Sequence, residues 1–315
     1  MKSSLFEEKA TKEAKEKKFE DSSFIIFLKG MLMGSADIIP GVSGGTMALI
    51  TGIYERLIHA IKGINLKFIP YLIKGEKEKA IENLKSIDFQ LLLPLGLGIL
   101  VAFFTLARLI LYLMEYHTAL VFGFFFGLIL ASASVVYKYI EKIDLWCVLS
   151  ALAGFVGVVL LIGLKEVGEN HTLPVIFFSG MVAICAMILP GISGSLILLT
   201  LNQYYYMLSA LRNVRNQLVE ILVFVFGAIL GLAAFSRVLD YLLRTHRSGT
   251  MAFLFGLMLG ALRRPAEEIG SEIKGSYFSL DFTFVLISLA LGVFAVFFVE
   301  LKTKDLKKNE RKSVG

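Results

Sequence analysis

A short run of helix-breaking residues occurs twice in this chain, each time inside an apolar stretch. The first copy reads Asp37-Ile38-Ile39-Pro40-Gly41-Val42-Ser43-Gly44-Gly45-Thr46. The second reads Met187-Ile188-Leu189-Pro190-Gly191-Ile192-Ser193-Gly194-Ser195. Pro, Gly and Ser together end a helix. In hydrocarbon, non-helical backbone is tolerated only where it is buried in protein or lines a cavity. Two such breaks at matching places in two halves of a chain point to a binding site built from both.

The surroundings of the loops set the class. Of 315 residues 56% are hydrophobic, and the mean hydropathy is +0.73. Soluble domains fall well below this, so the chain reads as a polytopic membrane protein. The net charge of +6 does not indicate nucleic acid, because the cations lie at the ends and in loops between apolar spans, where they orient a membrane protein. Cys147 and Cys185 sit in apolar segments and give neither a disulfide framework nor a metal-ligand spacing. No metal or cofactor is expected. The first 22 residues are too charged for a signal peptide and read as a cytosolic tail.

The expected fold is an all-α integral membrane protein with an inverted repeat, each half a re-entrant helical hairpin plus three transmembrane helices. The first repeat covers 23–165. Its hairpin arms are 23–39 and 46–61, and a basic loop holds Lys62, Lys67, Lys74, Lys77, Lys79 and Lys85. Spans are expected at about 89–114, 118–137 and 145–164, before a short loop with Glu166 and Glu169. The second repeat covers 174–301, with arms 174–189 and 196–211 and spans at about 219–243, 250–262 and 282–301. A basic tail fills 302–315.

Gly30-Met31 matches Gly180-Met181, Tyr54 matches Tyr204, Arg108 matches Arg237 and His117 matches His246. An odd number of crossings per half inverts the second half. With the N-terminus inside, 24 of the 32 Lys and Arg fall on the inner side and six on the outer. The remaining two, Arg108 and Arg237, lie within spans. This bias predicts both termini in the cytosol and the inverted architecture of many secondary transporters.

A helix restarting after a Pro-Gly break has unpaired backbone N–H groups and a positive dipole end, which attract anions. The candidate anion site is therefore Gly41, Val42, Ser43, Gly44, Gly45 and Thr46 with Gly191, Ser193, Gly194 and Ser195, and Pro40 and Pro190 supply the breaks. The bland reading is close helix packing through small residues.

Arg108 and Arg237 each cost about 2.5–3.5 kcal/mol to insert at mid-span. Arginine grips phosphate with paired hydrogen bonds, so both join the candidate site. Internal pairing, with Asp240 beside Arg237 and Glu115 near Arg108, is the alternative. Asp37 has Met187 as its counterpart, so symmetry does not require it. It is a candidate for proton coupling, and equally for pairing an arginine or capping the loop. His117 and His246 fit interfacial hydrogen bonding, and Tyr204, Tyr205 and Tyr206 fit an aromatic belt. The basic tails and loop fit contact with anionic membrane lipids.

With Asp37-x-x-Pro40-Gly41-Val42-Ser43-Gly44-Gly45-Thr46 and Pro190-Gly191-Ile192-Ser193-Gly194, the chain resembles the polyprenyl-phosphate transporter family, long catalogued as a membrane domain of unknown function. The resemblance implies a carrier that returns undecaprenyl phosphate, the carrier lipid of cell-wall synthesis, across the cytoplasmic membrane of a prokaryote. The polyprenyl phosphate head would be the anion, and a homodimer is admitted. Two rivals stand beside it. Undecaprenyl-pyrophosphate phosphatases carry Pro-Gly-x-Ser-Arg-Ser, but Gly194 stands here where that arginine belongs, and no intramembrane Glu-x-x-x-Glu is present. A symporter of a soluble anion could use the same two loops.

Overall fold

The computed structural model describes residues 21–39, 42–64, 76, 78, 87–163, 168, 170–273 and 280–313. For 280, 281 and 302–313 it describes the backbone alone. Expectations for Pro40, Gly41, the first 20 residues, most of the Lys-rich loop, Lys165, Glu166, Glu169 and Lys274 lie outside these residues.

Every regular element among the described residues is a helix. In chain order they are α1 (Ser23–Asp37), α2 (Gly44–Ile50), α3 (Tyr54–Gly63), α4 (Phe89–Tyr116), α5 (Thr118–Tyr137) and α6 (Leu145–Gly163). Then follow α7 (Leu173–Ile188), α8 (Gly194–Thr200), α9 (Tyr204–Arg212), α10 (Leu218–Thr245), α11 (Arg247–Ala261), α12 (Arg263–Ile273) and α13 (Leu280–Ser313). Lengths recur in order: α1 to α4 have 15, 7, 10 and 28 residues, and α7 to α10 have 16, 7, 9 and 28.

Local signals set the ends. Ser22 caps α1, Asp88 caps α4 through the Leu91 N–H at 3.0 Å, and Pro174 opens α7. The second hairpin arm of each half is two helices where one was expected. α2 stops at Gly52, with φ +73°, and α8 stops at Asn202, with φ +55°. In both places the chain closes with the same pair of bonds: Gly52 N–H to Leu49 O and Ile53 N–H to Ala48 O, then Asn202 N–H to Leu199 O and Gln203 N–H to Leu198 O. This is the Schellman ending, whose left-handed residue favours Gly or Asn.

Among the described residues five helices are long and apolar enough to cross a membrane: α4, α5, α6, α10 and the 282–301 part of α13. The expected sixth span, 250–262, falls within α11, whose 15 residues are fewer than the roughly 20 of a full-length crossing. Arg263, Arg264 and Pro265 end its apolar run, and α12 begins directly beyond Leu262. Large apolar side chains such as Phe104, Phe226 and Phe294 stand exposed on the outside, as a lipid-facing surface requires. The chain is a multi-pass membrane protein.

α5 is the central span: 61% of its apolar window is buried, against 11–17% for the other four. Helices pair through reciprocal glycines that admit a neighbour's backbone. Gly30 meets Leu95 O and Gly98 meets Phe27 O between α1 and α4. Gly180 meets Phe224 O and Gly227 meets Phe177 O between α7 and α10. Gly127 and Gly292 join α5 to α13, and Gly154 and Gly256 join α6 to α11. Small residues let membrane helices approach closely, where packing rather than water drives association.

Candidate functional site

The two duplicated loops meet. The Ser43 hydroxyl donates to the Leu189 carbonyl at 3.0 Å, and the Gly191 N–H donates to the Thr46 Oγ1 at 3.0 Å. Val42, Ser43 and Thr46 are buried. Gly45 lies so close to the Ile188 carbonyl that a Cβ there would come within 2.5 Å of it. Gly191 takes φ +86°, open to glycine, and packs on Leu257 and Met258 of α11.

The first copy satisfies its own amides. Asp37 Oδ1 accepts from the Gly44 N–H at 2.7 Å, and Ser43 Oγ accepts from the Gly45 N–H at 3.1 Å. Asp37 thus caps the first turn of α2 with its own carboxyl. Of the roles open to it, the geometry contains the cap. The second copy has Met187 at that place and is left open. The Gly194 and Ser195 N–H groups have no hydrogen-bond partner among the described residues. Ser193 and Ser195 hydroxyls lie 2.6 Å apart beside them. The second loop therefore offers two amides and two hydroxyls on one short stretch.

The two arginines are not brought to the loops. Arg108 and Arg237 lie on exposed faces of α4 and α10, and Arg237 Nη1 donates to the Ala233 carbonyl of its own helix. Neither shares a hydrogen bond or ion pair with a loop residue among the described residues. Nor does Asp240 pair with Arg237. It is 4% exposed and holds Lys62 at 2.5 Å, Arg244 at 3.0 Å and His59 at 3.3 Å, tying α3 to α10. His117 and His246 occupy the turns after α4 and α10, as the sequence suggested.

A cavity of about 1000 Å³ lies among α6, α10 and α11, and Leu189 of the second loop forms part of its wall. Phe235, Val238, Leu242 and Phe253 make it apolar, while Lys142, His246 and Arg247 stand at its rim. Asp144 is there too. Its carboxyl accepts from the Cys147 N–H at 2.8 Å, which holds it below the usual carboxylate range. The sequence assigns Lys142 and Arg247 to orientation and His246 to interfacial hydrogen bonding. The available signal was a basic pair, His246-Arg247, followed by Ser248-Gly249 in the tight turn between two apolar helices.

The fold and site define a class: a helical membrane protein whose paired helix breaks meet in its interior, beside a cavity. Residues 33–275 match the family described as VCA0040-like, undecaprenyl phosphate translocase-like, and the chain belongs to that family. It is 43% identical over 237 residues, 75% of each chain, to a protein of Vibrio cholerae serotype O1 named polyprenyl-phosphate transporter. It is 31% identical over 288 residues, 85% of this chain and 96% of the other, to a Staphylococcus aureus protein of the same name. No solved structure matches the chain.

Proposed function

We propose that this protein is a transporter, not an enzyme, and that it moves polyprenyl phosphate across the cytoplasmic membrane, returning the carrier lipid for cell-envelope synthesis. The observation that carries this reading is the meeting of the two duplicated loops in a chain 43% identical to a polyprenyl-phosphate transporter. The halves act as an inverted repeat, and the recurring helix lengths and matched glycine pairs support it. Ion pairs support the orientation. Arg56 with Asp88, Lys62 and Arg244 with Asp240, and Arg247 with Glu55 join residues that the charge bias assigns to the cytosolic side. In this reading α11, docked on α6 through Gly154 and Gly256, completes the sixth crossing despite its 15 residues, and both termini then face the cytosol.

In this mechanism the phosphate binds at the open second loop, on the Gly194 and Ser195 amides and the Ser193 and Ser195 hydroxyls. Ser43, Thr46 and Gly191 tie that loop to the first, so movement of one half is passed to the other. Gly41, Val42, Gly44 and Gly45 complete the cradle when Asp37 leaves α2. Release of Asp37 couples proton movement to transport. Arg108 and Arg237 meet the head group on its way between leaflets, while the tail stays in lipid.

Translocation of undecaprenyl phosphate into liposomes under a proton gradient tests this. Ser193→Ala with Ser195→Ala is expected to slow transport about tenfold or more, the loss of two hydrogen bonds to a charged group. Asp37→Asn, which keeps an oxygen for the Gly44 N–H, is expected to transport without responding to the gradient. Wild-type rates in both variants would refute the site. Release of inorganic phosphate from undecaprenyl pyrophosphate would point to the enzyme instead.

A further inference from the structure

The cavity among α6, α10 and α11 is larger than the paired loops need, and its chemistry is divided. The wall toward Leu189 is apolar. The rim carries Lys142 from the turn before α6 and His246 and Arg247 from the turn between α10 and α11. These residues are about a hundred positions apart in sequence and converge on one opening. The Lys142 ammonium has no partner among the described residues. Arg247 reaches Glu55 at 2.8 Å, and both side chains are about half exposed, 44% and 48%. Asp144, the one acid on this rim, is engaged by the Cys147 N–H at the start of α6. Arg247 also borders a second cavity of about 220 Å³, beside Tyr54. The Tyr54 hydroxyl is buried without a partner among the described residues.

We propose that this cavity is a second station for a lipid phosphate, separate from the paired loops. A phosphate monoester head rests on Lys142, His246 and Arg247, and the first isoprenoid units of its tail lie along Phe235, Val238, Leu242 and Phe253. The inference rests on the transport reading above and adds residues to it. The occupant follows from the charges and the walls. Two fixed cations match a phosphate monoester, which carries up to two negative charges, better than a diester, which carries one. An inorganic ion would leave the apolar wall wet, whereas a lipid tail covers it. The volume is at the upper end of small-molecule sites. Leu189 joins this station to the second loop, so a head leaving the loop slides to the rim without crossing open hydrocarbon. Glu55 holds Arg247 when the station is empty.

The chain has one tryptophan, Trp146, and it lines this cavity. Its fluorescence reports occupancy without a label. The full-length protein in phosphatidylcholine nanodiscs would be titrated with farnesyl phosphate, farnesol and inorganic phosphate in separate arms. Binding of radiolabelled undecaprenyl phosphate would be measured on the same samples. A saturable change is expected with farnesyl phosphate alone. Lys142→Gln and Arg247→Gln should each weaken it about tenfold, the scale of one charge-assisted hydrogen bond. Lys142→Arg should restore it. Lys138→Gln, whose ammonium pairs with Glu300 away from the cavity, should leave it unchanged. An equal response to farnesol or to inorganic phosphate overturns the station, as does unchanged affinity in both Gln variants. A silent Trp146 in protein that binds the radiolabelled lipid also overturns it and leaves the transport reading standing. Failure of the wild type to bind that lipid overturns both.

Discussion

Gly44 shows how one carbon governs the first loop. A Cβ there would come within 2.5 Å of Asp37 Oδ2 and 2.8 Å of Oδ1. The obstacle is the end of a side chain, so Asp37 would swing aside and leave the buried Gly44 N–H without a partner. Gly44→Ala is therefore expected to lower stability by about 1–3 kcal/mol, the cost of an orphaned buried donor. Gly157, in the interior of α6, has open space where its Cβ would be. Gly157→Ala should stabilise by about 0.5–1 kcal/mol by the ordinary helix preference. Thermal unfolding in detergent separates the two, and a loss of stability in both would refute the steric argument. At this scale the sequence singled out Asp37, Ser43, Thr46 and the glycines from their types alone, and the structure gathers Asp37, Ser43 and Thr46 where the loops meet. It placed Arg108 and Arg237 at the same site, because insertion cost reveals that an arginine is unusual and not which way its helix face turns.

Short helices are the second lesson. The sequence predicts one helix for the second arm of each half because 46–61 and 196–211 are mostly apolar and carry no proline. The breaks at Gly52 and Asn202 are local and carry a sequence signal, a left-handed residue at the same place in each half, two before Tyr54 and Tyr204. Gly52→Ala should cost about 1–2 kcal/mol, the penalty for an L-residue in that conformation, while Asn202→Gly should be neutral or slightly stabilising. Melting temperatures check both, and a neutral Gly52→Ala would mean that α2 need not end there. The same element-scale reasoning explains α11. Hydropathy marks an apolar stretch, and Arg263, Arg264 and Pro265 end it at the 15 residues of α11, shorter than the five long helices. It is held inside by Gly256 and Gly260 against α6.

For the whole molecule, the proposed inversion has a direct consequence. Lys142→Cys and Arg212→Cys, each in a chain with Cys147 and Cys185 replaced by alanine, should report opposite sides of the membrane. An impermeant maleimide on intact cells should label position 212, and position 142 only after permeabilisation. Labelling of both from one side would refute the inverted arrangement. Composition, hydropathy and the repeated Pro-Gly motif were enough to establish a membrane protein with two matching helix breaks, because each depends on what a segment is made of and what solvent it meets; charge bias adds the sidedness that the labelling tests. Contacts between distant segments were decided only by tertiary structure. The bonds from Ser43 to Leu189 and from Gly191 to Thr46 span 146 and 145 residues. The occupation of one loop's amides by Asp37, the openness of the other, and the gathering of Lys142, His246 and Arg247 at one rim follow from how the glycine-paired helices dock. No local propensity encodes that docking, since it is set by backbone approach between helices far apart in the chain.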